Sequence, residues 1–96
     1  MAHVKRSRET LRDLSAIVQF IAEDNTSAAE RWLAAIEELF TLMAAYPGMG
    51  EVVVTRRFGN VRRRSFGAYV IYFRERSYGV LILRVLHGAR DQHKLL

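Results

Sequence analysis

The stretch VRRRSFGAYVIYFR, residues 61–74, decides the fold of this chain. Two runs rich in β-branched and aromatic residues flank Gly67 and Ala68, and glycine at the first of two central positions suits a type II′ hairpin turn. ERSYG, residues 75–79, provides the next turn, and VLILRVLH, residues 80–87, predicts a third strand. Because that last run is almost entirely apolar, we expect a central strand that is covered on one face and partly on the other.

The first half of the chain has a helical period instead. Apolar residues recur at intervals of three and four along two segments, so each set lines one face of a helix. The two sets are Leu11, Leu14, Ile17, Val18 and Ile21, then Leu33, Ile36, Leu39, Phe40 and Met43. Ser7 is placed to cap the first helix. Ser27 and Glu30 have the form of a capping box for the second, although Asn25 could cap it instead. Pro47, with two glycines nearby, ends that helix.

Together these elements predict an α+β fold. Four residues between the helices indicate an antiparallel helical hairpin. Residues 1–96 are expected to form a single domain, with the hairpin packed on one face of a three- to four-stranded antiparallel sheet. A short strand within residues 2–6 would be the fourth. GARDQHKLL, residues 88–96, is expected to form a short C-terminal tail helix.

Composition excludes several classes of function. The chain has no cysteine, which removes disulfides, thiolate nucleophiles and cysteine-ligated metals. His3, His87 and His93 have no metal-ligand spacing, so we expect neither a metal nor another cofactor. No apolar segment follows the basic start MAHVKRSRET, and the longest apolar run, AYVIYF, is too short to span a bilayer. A soluble, cytoplasmic protein without a membrane partner is therefore predicted.

The positive charge is concentrated in the second half of the chain. Residues 1–50 hold five Lys/Arg and seven Asp/Glu, whereas residues 51–96 hold ten Lys/Arg and three Asp/Glu. A basic surface favours an anionic partner, either a nucleic acid or an acidic protein segment. The alternative is a solvated, arginine-rich face that binds nothing.

Five stretches carry a resemblance to a known family. In chain order they are DLSAIVQFIAEDN, SAAERW, YPGMG, VRRRSFGAYVIYFR and ILRVLHGARD. Their order and separations resemble the RelE/ParE toxin superfamily, and its ParE-like branch in particular, over roughly Ser7 to Asp91.

The resemblance implies the toxin of a type II toxin–antitoxin system, and an intracellular one. Its partner would be a small antitoxin, ParD-like and with an acidic segment, which drapes an extended or helical tail over the toxin in a hetero-oligomer. ParE-like members poison DNA gyrase by binding it, and RelE-like members cut messenger RNA on the ribosome. A degenerate member could also persist as a non-toxic binding module.

The residues favour binding over RNA cleavage. A metal-free nuclease must deprotonate a 2′-OH, protonate the leaving oxygen and stabilise the phosphorane. The terminal tyrosine that the RelE resemblance would require falls on Leu96, and residues 52–87 contain no lysine. Arginine is a poor general base because it stays protonated. The remaining catalytic candidates are His87, Arg84 and Arg90.

Each of these candidates also has a structural interpretation. His87 could close its strand and bond a backbone carbonyl or Asp91. Arg90 and Asp91 could form an anion-binding pair, or a salt bridge that fastens the tail to the sheet. Asp91 could instead cap the tail helix.

A cluster of arginines is the strongest candidate for binding the antitoxin or the target. Its members are Arg56, Arg57, Arg62, Arg63 and Arg64, with Arg90 as a further candidate. Alternation puts Arg62 and Arg64 on one face of their strand and Arg63 on the other. A turn at FGN would bring Arg56 close to Arg63. Among the aromatics, Tyr69 and Phe73 share a face with Ile71 and are expected to pack in the core, with base stacking as the alternative.

Overall fold

A computed structural model describes residues 2–89 and 95–96 and contains two helices and five strands within them. In chain order the elements are β1 His3–Arg6, α1 Arg8–Asp24, α2 Thr26–Ala45, β2 Glu51–Thr55, β3 Gly59–Phe66, β4 Tyr69–Arg76 and β5 Gly79–His87. The α+β class and the helix-then-sheet order agree with the sequence prediction. The tail helix was predicted for a segment that lies mostly outside the described residues.

The sheet is larger than predicted and it is mixed. Its strand order is β1-β5-β4-β3-β2, with β1 parallel to β5 and all other neighbours antiparallel. The expectation of three to four antiparallel strands was therefore wrong in two respects. The short strand β1 exists but runs parallel to its neighbour, and β2 was not counted. Three consecutive valines in EVVVT give β2 no alternation of apolar and polar residues, which hides a half-exposed strand.

The central hairpin folds as the sequence predicts. Phe66 pairs with Tyr69, so the loop contains only Gly67 and Ala68. Gly67 has φ +58° whereas Ala68 has a negative φ, which is the combination that a type II′ turn requires.

The helix caps confirm the expectation for α1 and decide between the two alternatives for α2. The Ser7 side chain accepts a hydrogen bond from the Thr10 amide at 3.0 Å and caps α1. Asn25, not Ser27, caps α2, and its side-chain oxygen accepts from the Ala28 amide at 2.9 Å. Asn25 is the only residue between the two helices, so the linker is shorter than the four residues predicted. A single residue suffices because Asn25 ends α1 and caps α2 at once.

One face of the sheet, here called the helix face, carries the main core. The predicted apolar stripe of α2 and most of that of α1 pack there against β4 and β5, whereas Leu11 at the start of the α1 stripe is 54% exposed. The fully buried members are Ile36, Phe40, Met43, Ile71, Phe73, Val80 and Ile82. The predicted core role of Tyr69, Ile71 and Phe73 is thus confirmed. Each fully buried large side chain contributes about 1.5–3 kcal/mol of hydrophobic stabilisation.

The opposite face, here called the second face, carries a smaller cluster. It contains Val61, Tyr72, Leu83, Leu86 and Leu96, with Val53 and Phe58 packed at its margin. Since β5 contributes Ile82 to one cluster and Leu83 to the other, it is covered on both faces, as its apolar run predicts.

β1 ends before β5 does, and beyond that point the N-terminal end of α1 hydrogen-bonds to the edge of β5. The last pair between these strands joins Arg6 to Ile82, and β5 has an extra residue, Leu83, at the bulge that follows. Thr10 is fully buried and its hydroxyl donates to the Ile82 carbonyl at 3.0 Å, while the Ser7 hydroxyl donates to the Leu83 carbonyl at 2.8 Å. The Ile82 carbonyl also accepts from the Ser7 backbone N–H at 2.9 Å, so the start of α1 continues the bonding of β5 beyond the last residue of β1.

Asp13, one turn further along α1, makes the next contact with the edge of β5. Its carboxylate accepts from the Val85 amide at 3.0 Å. Ser7, Thr10 and Asp13 follow one another at intervals of three, so all three lie on the helix stripe that faces the strand.

Neither described helix has the length and apolarity that crossing a bilayer requires.

Gly79 provides a test of the pairing between β1 and β5. It has φ +139°, and a Cβ added to it would clash with the His3 carbonyl oxygen and lie 2.9 Å from the His3 nitrogen. We predict that Gly79→Ala lowers the free energy of unfolding by about 2–4 kcal/mol, because either the backbone or the strand pair must shift. Urea unfolding monitored by circular dichroism measures this change.

Gly48→Ala is the matched control. Nothing lies within 4 Å of the Cβ that it would add, so its effect should stay within about 0.5 kcal/mol. Equal effects of the two substitutions would contradict the close approach of β1 to Gly79.

Candidate partner-binding surface

The arginines of β3 are divided between the two faces of the sheet as alternation predicts. Val61 belongs to the cluster on the second face, and Phe66 packs on the helix face. Arg63 therefore lies on the second face, where it is paired across the strands with Tyr72. Arg62 and Arg64 lie on the helix face.

Arg56 and Arg63 line one cavity on the second face. The cavity has a volume of about 230 Å³ and is also lined by Val53, Val54, Thr55, Tyr72 and Leu96. A turn brings Arg56 and Arg63 together as predicted, but it comprises residues 56–58, because Gly59 and Asn60 of the predicted FGN turn already belong to β3. Arg56 makes no ion pair with any residue that the structure describes.

Arg63 is held loosely by one carboxylate. Its Nη2 lies 3.3 Å from Glu51 Oε2, and both side chains are exposed. The pKa of Arg63 is raised, first by hydrogen bonding to Glu51 and then by hydrogen bonding to Tyr72. An exposed pair of this length contributes less than about 1 kcal/mol, so a better-placed carboxylate could replace Glu51.

Arg57 is committed to the fold. It binds Glu9 of α1 through two hydrogen bonds of 2.7 and 2.5 Å, and its backbone N–H donates to the Leu96 carbonyl at 2.6 Å. Arg57 thus fastens the turn between β2 and β3 to the first helix, which sets it apart from Arg56 and Arg63.

The same contact lowers the pKa of Glu9, because the hydrogen bond from Arg57 stabilises the carboxylate. Since the pKa is lowered on folding, the contribution of Glu9 to the free energy of unfolding is present above its ordinary value of 4.5. That contribution is lost as the pH falls through the lowered pKa.

Arg84, a catalytic candidate, is also occupied. Its Nε and Nη2 donate to the two Asp13 oxygens at 2.8 and 2.9 Å, and its Nη1 lies 3.5 Å from Glu9. The two side chains of the main pair are only 11% and 12% exposed. The pKa of Arg84 is raised, and the hydrogen bond to Asp13 is the largest cause. A guanidinium whose fork already holds a carboxylate is poorly placed to stabilise a phosphorane.

His87 ends β5, and its ring contacts the turn that follows. Its Nδ1 accepts a hydrogen bond from the Ala89 backbone N–H at 3.1 Å. The predicted alternative partner Asp91 lies outside the described residues, so a bond between His87 and Asp91 stays a prediction. The partner of Nδ1 is an amide because the chain turns directly after the strand, where the Gly88 N–H donates to the Ala68 carbonyl. The ring also packs edge-on against Tyr69, at 5.3 Å between centroids.

The remaining candidates lie outside the described residues. These are Arg90, the Asp91 that would pair with it or cap the tail, and His93. Within the described part of the chain, no group of three or more His, Cys, Asp or Glu residues could hold a metal ion.

The sequence pattern did not reveal the two acidic residues that form ion pairs with Arg57 and Arg84. Glu9 and Asp13 are polar residues in the first turns of an amphipathic helix, which usually face solvent. The detectable signal was the interval of three that joins Asp13 to Thr10 and Ser7, because a stripe of short polar side chains beside an apolar stripe can bond a strand edge.

The pair of Asp13 and Arg84 gives a quantitative test of this assignment. We predict that Asp13→Asn or Arg84→Gln lowers the free energy of unfolding by about 3 kcal/mol, because each leaves a nearly buried charge without its partner. The double variant should lose much less than the sum of the two, and Glu51→Gln, at the exposed pair, should lose less than about 1 kcal/mol. Additive losses would show that the two residues are not coupled.

Comparison with known proteins identifies the family. A family model described as ParE toxin of type II toxin–antitoxin system, parDE, matches residues 4–92. Among solved structures, the chain is similar to one from the chromosomal ParDE TA system of P. aeruginosa, with a TM-score of 0.71 and 22% identity. That match covers 91% of this chain and 96% of the other. A search of curated proteins finds no matching relative.

At this identity the solved structure supports the fold alone, and the family assignment rests on the family model. That model spans nearly the whole chain, including both helices, strands β2 to β5 and all of β1 except His3. This chain belongs to the ParE toxin family of type II toxin–antitoxin systems.

Proposed function

We propose that this toxin inhibits growth by binding and poisoning DNA gyrase, without chemistry of its own. The observation that carries this proposal is the two-point contact between Arg84 and Asp13. In a nuclease of this fold, a cation on the central strand would have to meet the scissile phosphate. In this chain the cation on β5, the guanidinium of Arg84, is instead paired with Asp13 inside the protein.

The described acid–base candidate supports the same conclusion. His87 is exposed, but its Nδ1 already accepts the Ala89 amide, which orients the ring along the chain after β5. A catalytic base needs a free lone pair. When Nδ1 accepts a hydrogen bond, the neutral ring carries its proton on Nε2, so neither nitrogen offers a lone pair to a substrate hydroxyl. Binding requires none of these proton transfers.

We further propose that the toxin is neutralised in a hetero-oligomer by a ParD-like antitoxin that carries an acidic segment. The support is the exposed guanidinium groups around β3, because arginine pairs bidentately with carboxylates. Both gyrase and such an antitoxin act in the cytoplasm, which is therefore the location that we propose for the toxin.

A gyrase assay with purified toxin tests the target. We predict that micromolar toxin blocks supercoiling and makes cleaved DNA accumulate, because the toxin traps a gyrase–DNA intermediate. His87→Ala should retain both effects, since no proton transfer is involved, and topoisomerase I should be unaffected.

Normal supercoiling at micromolar toxin would contradict the gyrase target. Codon-position cuts in messenger RNA after induction would instead support a RelE-like nuclease. Harmless overexpression of the folded protein would support a binding module without toxicity.

A further inference from the structure

We infer that the outer edge of β2 is a docking site for an acidic, extended polypeptide segment that adds to the sheet as a sixth strand. The inference deepens the proposed neutralisation by an antitoxin and rests on it for the identity of the partner. Its own evidence comes from the backbone, the exposed side chains and the charges at this edge.

The edge is open and unprotected. Since β2 is the last strand in the order β1-β5-β4-β3-β2, one side of its backbone has no partner strand within the described residues. Proteins normally protect such an edge with a lysine, a proline or a bulge. EVVVT contains neither lysine nor proline, and its register with β3 is continuous from Glu51 to Thr55. An unprotected edge of this kind is a template for strand addition.

Exposed valines add an apolar contact beside the backbone. Val52 and Val54 are 58% and 79% exposed, whereas Val53 between them packs at the margin of the second-face cluster. By alternation both exposed valines lie on the helix face, at the part of the sheet farthest from β1 and β5. An added strand would cover them with every second side chain.

The charges define what the other side chains of the added strand should be. Arg56 and Arg63 line the cavity on the second face next to Val53 and Val54. Arg56 has no ion-pair partner among the described residues, and the carboxylate that pairs with Arg63 is the exposed Glu51, at 3.3 Å. Carboxylates projecting from the second face of an added strand would meet both guanidinium groups. The complementary segment therefore alternates apolar and acidic residues.

Two other occupants fit less well. A second copy of this chain would bring another net charge of +5 to this edge, so the two copies would repel each other. A nucleic acid would match the arginines but not the valines or the unpaired backbone. It would also lack stacking platforms, because Tyr72 and Phe73 on the nearby strand β4 are 2% and 0% exposed.

The test uses a ten-residue probe of five Val-Glu repeats, with capped ends, and the full-length toxin. Amide hydrogen exchange followed by NMR should show new protection in β2 when the probe binds, and raising the salt concentration should weaken binding. A probe of five Val-Lys repeats should not bind. Neither gyrase nor antitoxin is present, so a failed gyrase assay and a failed docking site are separate results.

Variants of the toxin locate the site. Val54→Asp should abolish probe binding because it sets a carboxylate against the probe's valines, while Val54→Thr preserves binding, and both should fold because this position is exposed. Arg56→Gln should weaken binding about fivefold, as expected for a solvent-accessible ion pair, whereas Arg31→Gln on α2 should not. Circular dichroism confirms that each variant is folded.

Three results would overturn the inference. One is equal binding of the Val-Lys probe, and another is unchanged binding to Val54→Asp. The third is protection of β2 by an oligothymidylate as strong as that by the Val-Glu probe, which would assign the edge to nucleic acid.

Discussion

The architecture depends on how α1 covers the unpaired end of β5. β1 pairs with only the first part of that strand, and a central strand with an unsatisfied edge would be costly. Ser7, Thr10 and Asp13 satisfy this edge, each one turn further along the helix. The bonds fix α1 against the sheet, and α2, joined to it by a single residue, is placed over the main core in consequence.

The same constraint sorts the arginines by role. Because Asp13 lies at the strand edge, it draws Arg84 inward, and Glu9 one turn earlier holds Arg57. What remains for a partner is the group around the outer strands, led by Arg56 and Arg63. Arg56 and Arg63 line one cavity on the second face, so this chain keeps cationic side chains at the outer part of the sheet that Glu9 and Asp13 do not occupy.

The sequence was informative where a local rule decides the conformation. Gly67 at the first turn position, the two apolar helix stripes and the faces of β3 and β4 all follow from periodicity or from a positive φ. It was uninformative where distant residues decide. The parallel pairing of β1 depends on the close approach of His3 to Gly79, and the pairing of Arg84 with Asp13 joins residues that no short pattern relates. The strand β2 was not predicted because its three central residues are all valine although they lie on two faces, so the sequence does not show which of them are exposed.

The central proposal, that the toxin binds its target and does not cleave RNA, rests on the pairing of Arg84 with Asp13 and of the His87 Nδ1 with the Ala89 amide. The most direct measurement is primer extension on messenger RNA incubated with purified toxin and translating ribosomes, from about pH 5 to about pH 9. The account predicts no toxin-dependent ends at any pH. Ends whose yield changes with pH and which disappear with His87→Ala would contradict it.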